Sequence, residues 1–114
     1  MRYSQDGTEV ILGAAAGARE LGQGFVGSAH LLLALTRDRG RAGQLLRQFG
    51  LSPGFAWDLC AVLYGIGNPE LPLPQGFTGR AKGILRGAAG EAQLMGAKTV
   101  CPIHILLALT RKEN

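Results

Sequence analysis

Val10, Ile11, Ala14, Ala15, Ala18 and Leu21 recur at the three-to-four-residue spacing of one helix face, with Arg19 and Glu20 off it. The spacing predicts a helix over 4–21. Tyr3-Ser4 stands before it, and the serine oxygen suits an N-cap because it can accept from an orphan N–H of the first turn. Gly22 sits where a C-terminal stop belongs. The leucine-rich run over 28–37 is short enough for a strand, but it lacks β-branched residues and lies among helices, so it reads as a second helix. Over 41–49, Leu45, Leu46 and Phe49 share one side and Gly50 ends the run. Ser52-Pro53 reads as N-cap and first helical residue of a fourth helix over 53–64, with Phe55, Leu59, Cys60, Val62 and Leu63 expected inward and Gly65 as its stop. Two further helices follow over 78–95 and 102–111.

These last two are copies. A shift of 74 positions lays Leu32-Leu33-Ala34-Leu35-Thr36-Arg37 on Leu106-Leu107-Ala108-Leu109-Thr110-Arg111. The same shift carries His30 onto His104, Val26 onto Val100, Gly22 onto Gly96, Gly13-Ala14-Ala15 onto Gly87-Ala88-Ala89, and Tyr3-Ser4 onto Phe77-Thr78. Ile84, Leu85, Ala88, Ala89, Ala92 and Met95 repeat the first stripe. The chain therefore reads as one all-α domain, 1–114, built of tandem helical repeats: repeat one over 3–64, a proline-bearing linker over 65–76, and a partial repeat two over 77–114. Asn114 aligns with Gly40, so counterparts of the third and fourth helices are not in this sequence. That predicts an apolar face around Leu106, Leu107 and Leu109, and self-association through the truncated second repeat.

At 114 residues the chain has no room for an ATPase module, and its 46% apolar and 18% charged residues are those of a folding chain. The 18 glycines show no G-X-Y period. Gly13/Gly17 and Gly83/Gly87 have the spacing of membrane helix contacts, but their polar flanks favour close packing in a water-soluble bundle. No run reaches the ~18 consecutive apolar residues of a membrane span. With a distant cysteine pair, Cys60 and Cys101, and no signal-peptide pattern, a cytoplasmic protein is expected. The formal charge of +4 admits acidic partners without requiring nucleic acid.

Candidate chemistry is sparse. His30 and His104 have the side chain most used for acid–base work and metal binding, but recurrence at the same repeat position, at the start of a packed helix, points to a structural hydrogen bond. Cys101 with His104 is half a zinc site without its second half, and no orienting group accompanies it for nucleophilic catalysis. There is no GxxxxGK[ST] phosphate loop, so no cofactor and no enzymatic activity are expected. Arg37, Arg39 and Arg41 form a basic turn, and Arg80, Lys82 and Arg86 lie at the start of the fifth helix. These leave a small basic helical regulator of nucleic acid as the alternative reading, against which stand the 6% aromatic content and the lack of a recognition-helix signature.

An aromatic-hydroxyl opening, an Ala-rich helix ending in Leu-Gly, and then Val26-Gly27-Ser28-Ala29-His30-Leu31-Leu32-Leu33-Ala34-Leu35, repeated as Val100-Cys101-Pro102-Ile103-His104-Ile105-Leu106-Leu107-Ala108-Leu109, resembles the Clp N-terminal domain of AAA+ unfoldases. The resemblance implies two helical repeats about a pseudo-twofold axis, and a non-catalytic module that binds adaptors and substrates for the ATPase ring. It also implies ligand pockets at the entrances of the second and sixth helices, near Val26, Ser28, Ala29 and near Val100, Pro102, Ile103. In family members that read phosphoarginine tags, a Glu precedes each His, whereas here those places hold Ala29 and Ile103. Both carboxylates are gone, so weak or absent phosphoarginine binding is expected, with Arg37, Arg39 and Arg41 as candidate contacts for an acidic adaptor.

Overall fold

The computed structural model describes residues 1–65, 67 and 76–111. Six helices follow in order: α1 (Gln5–Glu20), α2 (Ser28–Thr36), α3 (Arg41–Gln48), α4 (Pro53–Tyr64), α5 (Gly79–Leu94) and α6 (Pro102–Thr110). The leucine-rich run of α2 is helical as expected. The linker expected over 65–76 lies almost wholly outside the described residues.

The repeat is reproduced to the residue. α1 and α5 have 16 residues each, and α2 and α6 have 9. The Ser4 hydroxyl accepts from the Gly7 N–H at 2.9 Å, and the Thr78 hydroxyl accepts from the Ala81 N–H at 3.1 Å. Gly22 and Gly96 end their helices with φ of 69° and 71°, a left-handed conformation that a side chain disfavours. Where α1 crosses α2, a Cβ on Gly13 would touch the Ala34 Cβ at 3.4 Å, and Gly87 stands in the same relation to Ala108. Gly13, Gly17 and Gly87 therefore let the two helices of each repeat pack closely, whereas a Cβ on Gly83 would meet only the Arg86 side chain of its own helix.

Between repeats the chain exchanges its entrances. Val26 and Phe77 form a parallel β-bridge, as do Tyr3 and Val100. The Val26 N–H donates to Gly76 O at 2.8 Å and the Thr78 N–H to Val26 O at 2.9 Å. The mirrored pair runs from Val100 N–H to Arg2 O and from Ser4 N–H to Val100 O, both 3.0 Å. Each repeat's first helix thus starts beside the other repeat's second helix, a reciprocal two-fold arrangement. One apolar cluster spans both halves, with Val10, Leu31, Leu35 and Leu46 from the first and Ala88, Ala92, Val100 and Ile105 from the second.

Two expectations about apolar faces need correction. α4 has apolar residues on every side, and it buries Ala56 and Cys60, not Phe55, Val62 or Leu63, which are exposed. Small residues one turn apart let α4 approach Leu21, Ala29 and Leu33 closely, which leaves the larger side chains on the far side. Phe49 is likewise exposed, while Leu46 carries α3 into the core. On α6, Leu106, Leu107 and Leu109 are half-buried, because α6 packs against α1, α2, α3 and α5. The apolar face expected there is thus partly covered, and Leu109 still lines an open groove. No helix among them is long and apolar enough to cross a membrane.

Candidate functional site at the paired helix entrances

The exchange of entrances brings helix N-termini together in pairs, α2 with α5 and α1 with α6. The positive ends of two helix dipoles lie side by side in each pair, an arrangement whose electrostatics favour an anion. At both entrances the histidine is the organiser. The Gly27 N–H donates to His30 Nδ1 and the Cys101 N–H donates to His104 Nδ1, each at 2.9 Å. With Nδ1 an acceptor, His30 carries its proton on Nε2 and donates to Gln23 Oε1, whose amide nitrogen in turn donates to the carbonyls of Cys60 and Gly65. Both nitrogens of His30 are committed to structure, and burial pushes its pKa down from 6.5 to about 4. The expected structural role of the two histidines holds.

The two entrances differ in what surrounds the histidine. At α2 the Tyr64 hydroxyl accepts from the Ala29 N–H at 3.0 Å, and its ring stacks on His30 with centroids 4.8 Å apart. Gly27 makes room for it, since a Cβ there would collide with the Tyr64 hydroxyl oxygen. Tyr64 therefore holds one of the donors an anion would use. Among the described residues no hydroxyl stands in the matching place before Ile103.

The site residues read from sequence fall into two groups. Val26 and Val100 are buried and contribute backbone to the bridges. Ala29 is buried and Ile103 half-buried. Ser28 does not cap α2. Gly27 does, and Ser28 is the first residue of the helix, while Pro102 takes that place in α6 as anticipated. These six do gather at the entrances. Arg37, Arg39 and Arg41 do not, because they lie past the opposite end of α2, with the Arg37 guanidinium 5.9 Å from the Trp57 ring centroid. Sequence reasoning missed Gln23 and Tyr64. Gln23 aligns with Ala97 and Tyr64 has no partner in the second copy, so the repeat that revealed the other residues was silent about them.

Residues 2–114 match the family profile described as "Clp repeat (R) N-terminal domain". The chain belongs to the Clp N-terminal domain family. It is 32% identical over 112 residues to the chloroplastic chaperone protein ClpC2 of Oryza sativa subsp. japonica, and 31% identical over 112 residues to chloroplastic ClpC1 of Arabidopsis thaliana. Each alignment covers 97% of this chain and 12% of the relative, so the chain spans a small part of those proteins. Among solved structures it is similar to the N-terminal domain of the chaperone ClpD from Arabidopsis thaliana, with a TM-score of 0.77 at 22% identity over 95% of this chain and 75% of that one. It is also similar to the Hsp104 N-terminal domain from Candida albicans, with a TM-score of 0.76 at 21% identity over 96% of this chain and 73% of that one. The six-helix Clp N-domain fold is therefore the fold of this chain. A Clp N-domain is the substrate- and adaptor-binding module of a Clp AAA+ chaperone and is not itself catalytic. Among the described residues no three His, Cys, Asp or Glu side chains cluster as metal ligands.

Proposed function

We propose that this chain recruits adaptor or substrate proteins to a Clp-type AAA+ unfoldase or protease, with any ATP hydrolysis or peptide cleavage belonging to that larger machine. The observation that carries the reading is the family match over residues 2–114, together with the doubled His30/His104 entrance. Of the basic groups named for the nucleic-acid alternative, Arg37 lies over Trp57, while Arg41 on α3 and Arg80, Lys82 and Arg86 on α5 stand exposed. A cytoplasmic setting is part of the proposal, supported by two free thiols, Cys60 and Cys101, although the two plant relatives are chloroplastic by name.

The test is surface plasmon resonance of the immobilised chain against a permanently unfolded polypeptide and against a folded protein of similar charge, with a gel shift on duplex DNA beside it. Binding to the unfolded polypeptide without any nucleotide requirement is expected. Salt-dependent binding to DNA with no binding to polypeptide overturns the proposal.

Phosphoarginine recognition is weak or absent in this reading. Neither α2 nor α6 carries an acidic residue in its first turn for the guanidinium, and Tyr64 already occupies a donor at α2. A charge-assisted pair of that kind contributes roughly 1.5–3 kcal/mol, more than tenfold in affinity. Calorimetry with free phosphoarginine should show little heat for the wild type and a gain for Ile103→Glu, where no tyrosine covers the entrance. Tight wild-type binding would show that the site is misplaced.

A further inference from the structure

Each repeat carries a groove between its first and second helices, the two grooves are related by the repeat, and the α5–α6 groove begins at the α2/α5 entrance, where Ser28, Gly79 and Arg80 line it. One lies between α1 and α2, has a volume of about 490 Å³, and is lined by Asp6, Glu9, Val10, Gly13 and Ala34 with the Arg37–Gly40 turn. The other lies between α5 and α6, has a volume of about 730 Å³, and presents Arg80, Gly83, Ile84, Gly87, Ala108 and Leu109. Position for position, Asp6 becomes Arg80 and Glu9 becomes Gly83, so two acids are replaced by a base and an opening.

The second groove is built to take an apolar side chain. Gly83, Gly87 and Ala108 leave the space, and Ile84 and Leu109, both half-buried, supply apolar walls. Its electrostatics select the flanks of that side chain. The only carboxylate lining it is Glu91, which accepts two hydrogen bonds at 2.8 Å from Arg111, and this pairing holds the Glu91 pKa below its usual range. Arg80 has no ion-pair partner among the described residues, and Lys82 and Arg86 stand exposed on the same helix. In repeat one the packing of α3 and α4 on α2 leaves the equivalent groove open, so the α5–α6 groove is not the face that further helices of a repeat would cover.

We infer that the α5–α6 groove binds an acidic, leucine-bearing segment of a partner protein, and that the α1–α2 groove, where the carboxylates of Asp6, Glu9 and Asp38 stand beside Arg37 and Arg39, does not. The inference rests on the recruitment role proposed above and names the chemistry of the partner.

The probes are two short fluorescein-labelled peptides of equal leucine content and scrambled order, one with glutamates and the other with lysines. Fluorescence anisotropy on the whole chain should show the acidic peptide binding, more weakly as salt is raised, and the lysine peptide at least about tenfold weaker. The variant Arg80→Asp/Gly83→Glu gives this groove the charges of its twin. A Cβ at position 83 meets nothing nearer than the Arg86 side chain at 3.9 Å, and Asp in a first turn with Glu in place of a helical Gly favours α5, so the variant should keep its helicity by circular dichroism. It should lose about tenfold or more in affinity for the acidic peptide. Unchanged affinity in the variant, or no preference between peptides, overturns the groove assignment and leaves recruitment standing if the unfolded polypeptide still binds. Failure of the unfolded polypeptide and both peptides to bind overturns both.

Discussion

His30 is a base kept neutral by its surroundings. Its Nδ1 must stay unprotonated to accept from Gly27, and burial disfavours the charged ring. The unfolded chain takes up this proton near pH 6.5, whereas the native chain resists until about 4. The native pKa is therefore the depressed one, and the stability present above pH 6.5 is lost as pH falls towards 4, by roughly 3 kcal/mol in all. Urea unfolding at steps across that window should show the slope, and it should be shallower in His30→Gln. A rise in stability on acidification would contradict the assigned tautomer. Cys60 gives a second expectation, because it is fully buried and burial pushes its thiol up to about 11, so it is not a nucleophile at neutral pH. Iodoacetamide on the native chain should modify Cys101 alone, read by mass spectrometry, with Cys60 reacting only after denaturation.

At the scale of the element, matched caps do matched work. The Ser4 and Thr78 hydroxyls each satisfy one first-turn N–H, so Ser4→Ala and Thr78→Ala should each cost about 1 kcal/mol in chemical denaturation, near the middle of the range for such caps. A large difference between them would mean that the two first helices are not equivalent in stability. α4 is held by Ala56 and Cys60 against α2 and by the Gln23 and Tyr64 hydrogen bonds. Val62 on its far side is 80% exposed, so Val62→Lys should change stability by no more than about 0.5 kcal/mol, whereas Ala56→Leu should overpack the contact and cost about 1–3 kcal/mol.

For the whole molecule, the reciprocal bridges and the shared core make the two repeats one folding unit. Leu31 and Leu35 of repeat one and Val100 and Ile105 of repeat two lie in the same cluster, so neither half can open without exposing the other. Calorimetry should give a single thermal transition with calorimetric and van 't Hoff enthalpies in agreement. Two transitions would show that the repeats fold separately and that the bridges are incidental.

The helices, their order and most of their ends were legible in the sequence because each depends on local patterning: apolar spacing, a capping hydroxyl, a terminal glycine. The doubled pattern also marked His30 and His104 as structural, and both accept an N–H at their helix entrance. Which face of α4 turns inward was not legible, because apolar residues lie on every side of it with Asp58 its one charge, and close approach at Ala56 and Cys60 decided the matter. Nor was the Tyr64 contact, since its partners are 34 and 35 residues away in the chain and have no echo in the second repeat. The two grooves show the division most clearly. Their differences, Asp6 against Arg80 and Glu9 against Gly83, are written in the sequence, but only the packing of each first helix on its second turns those positions into the linings of equivalent spaces.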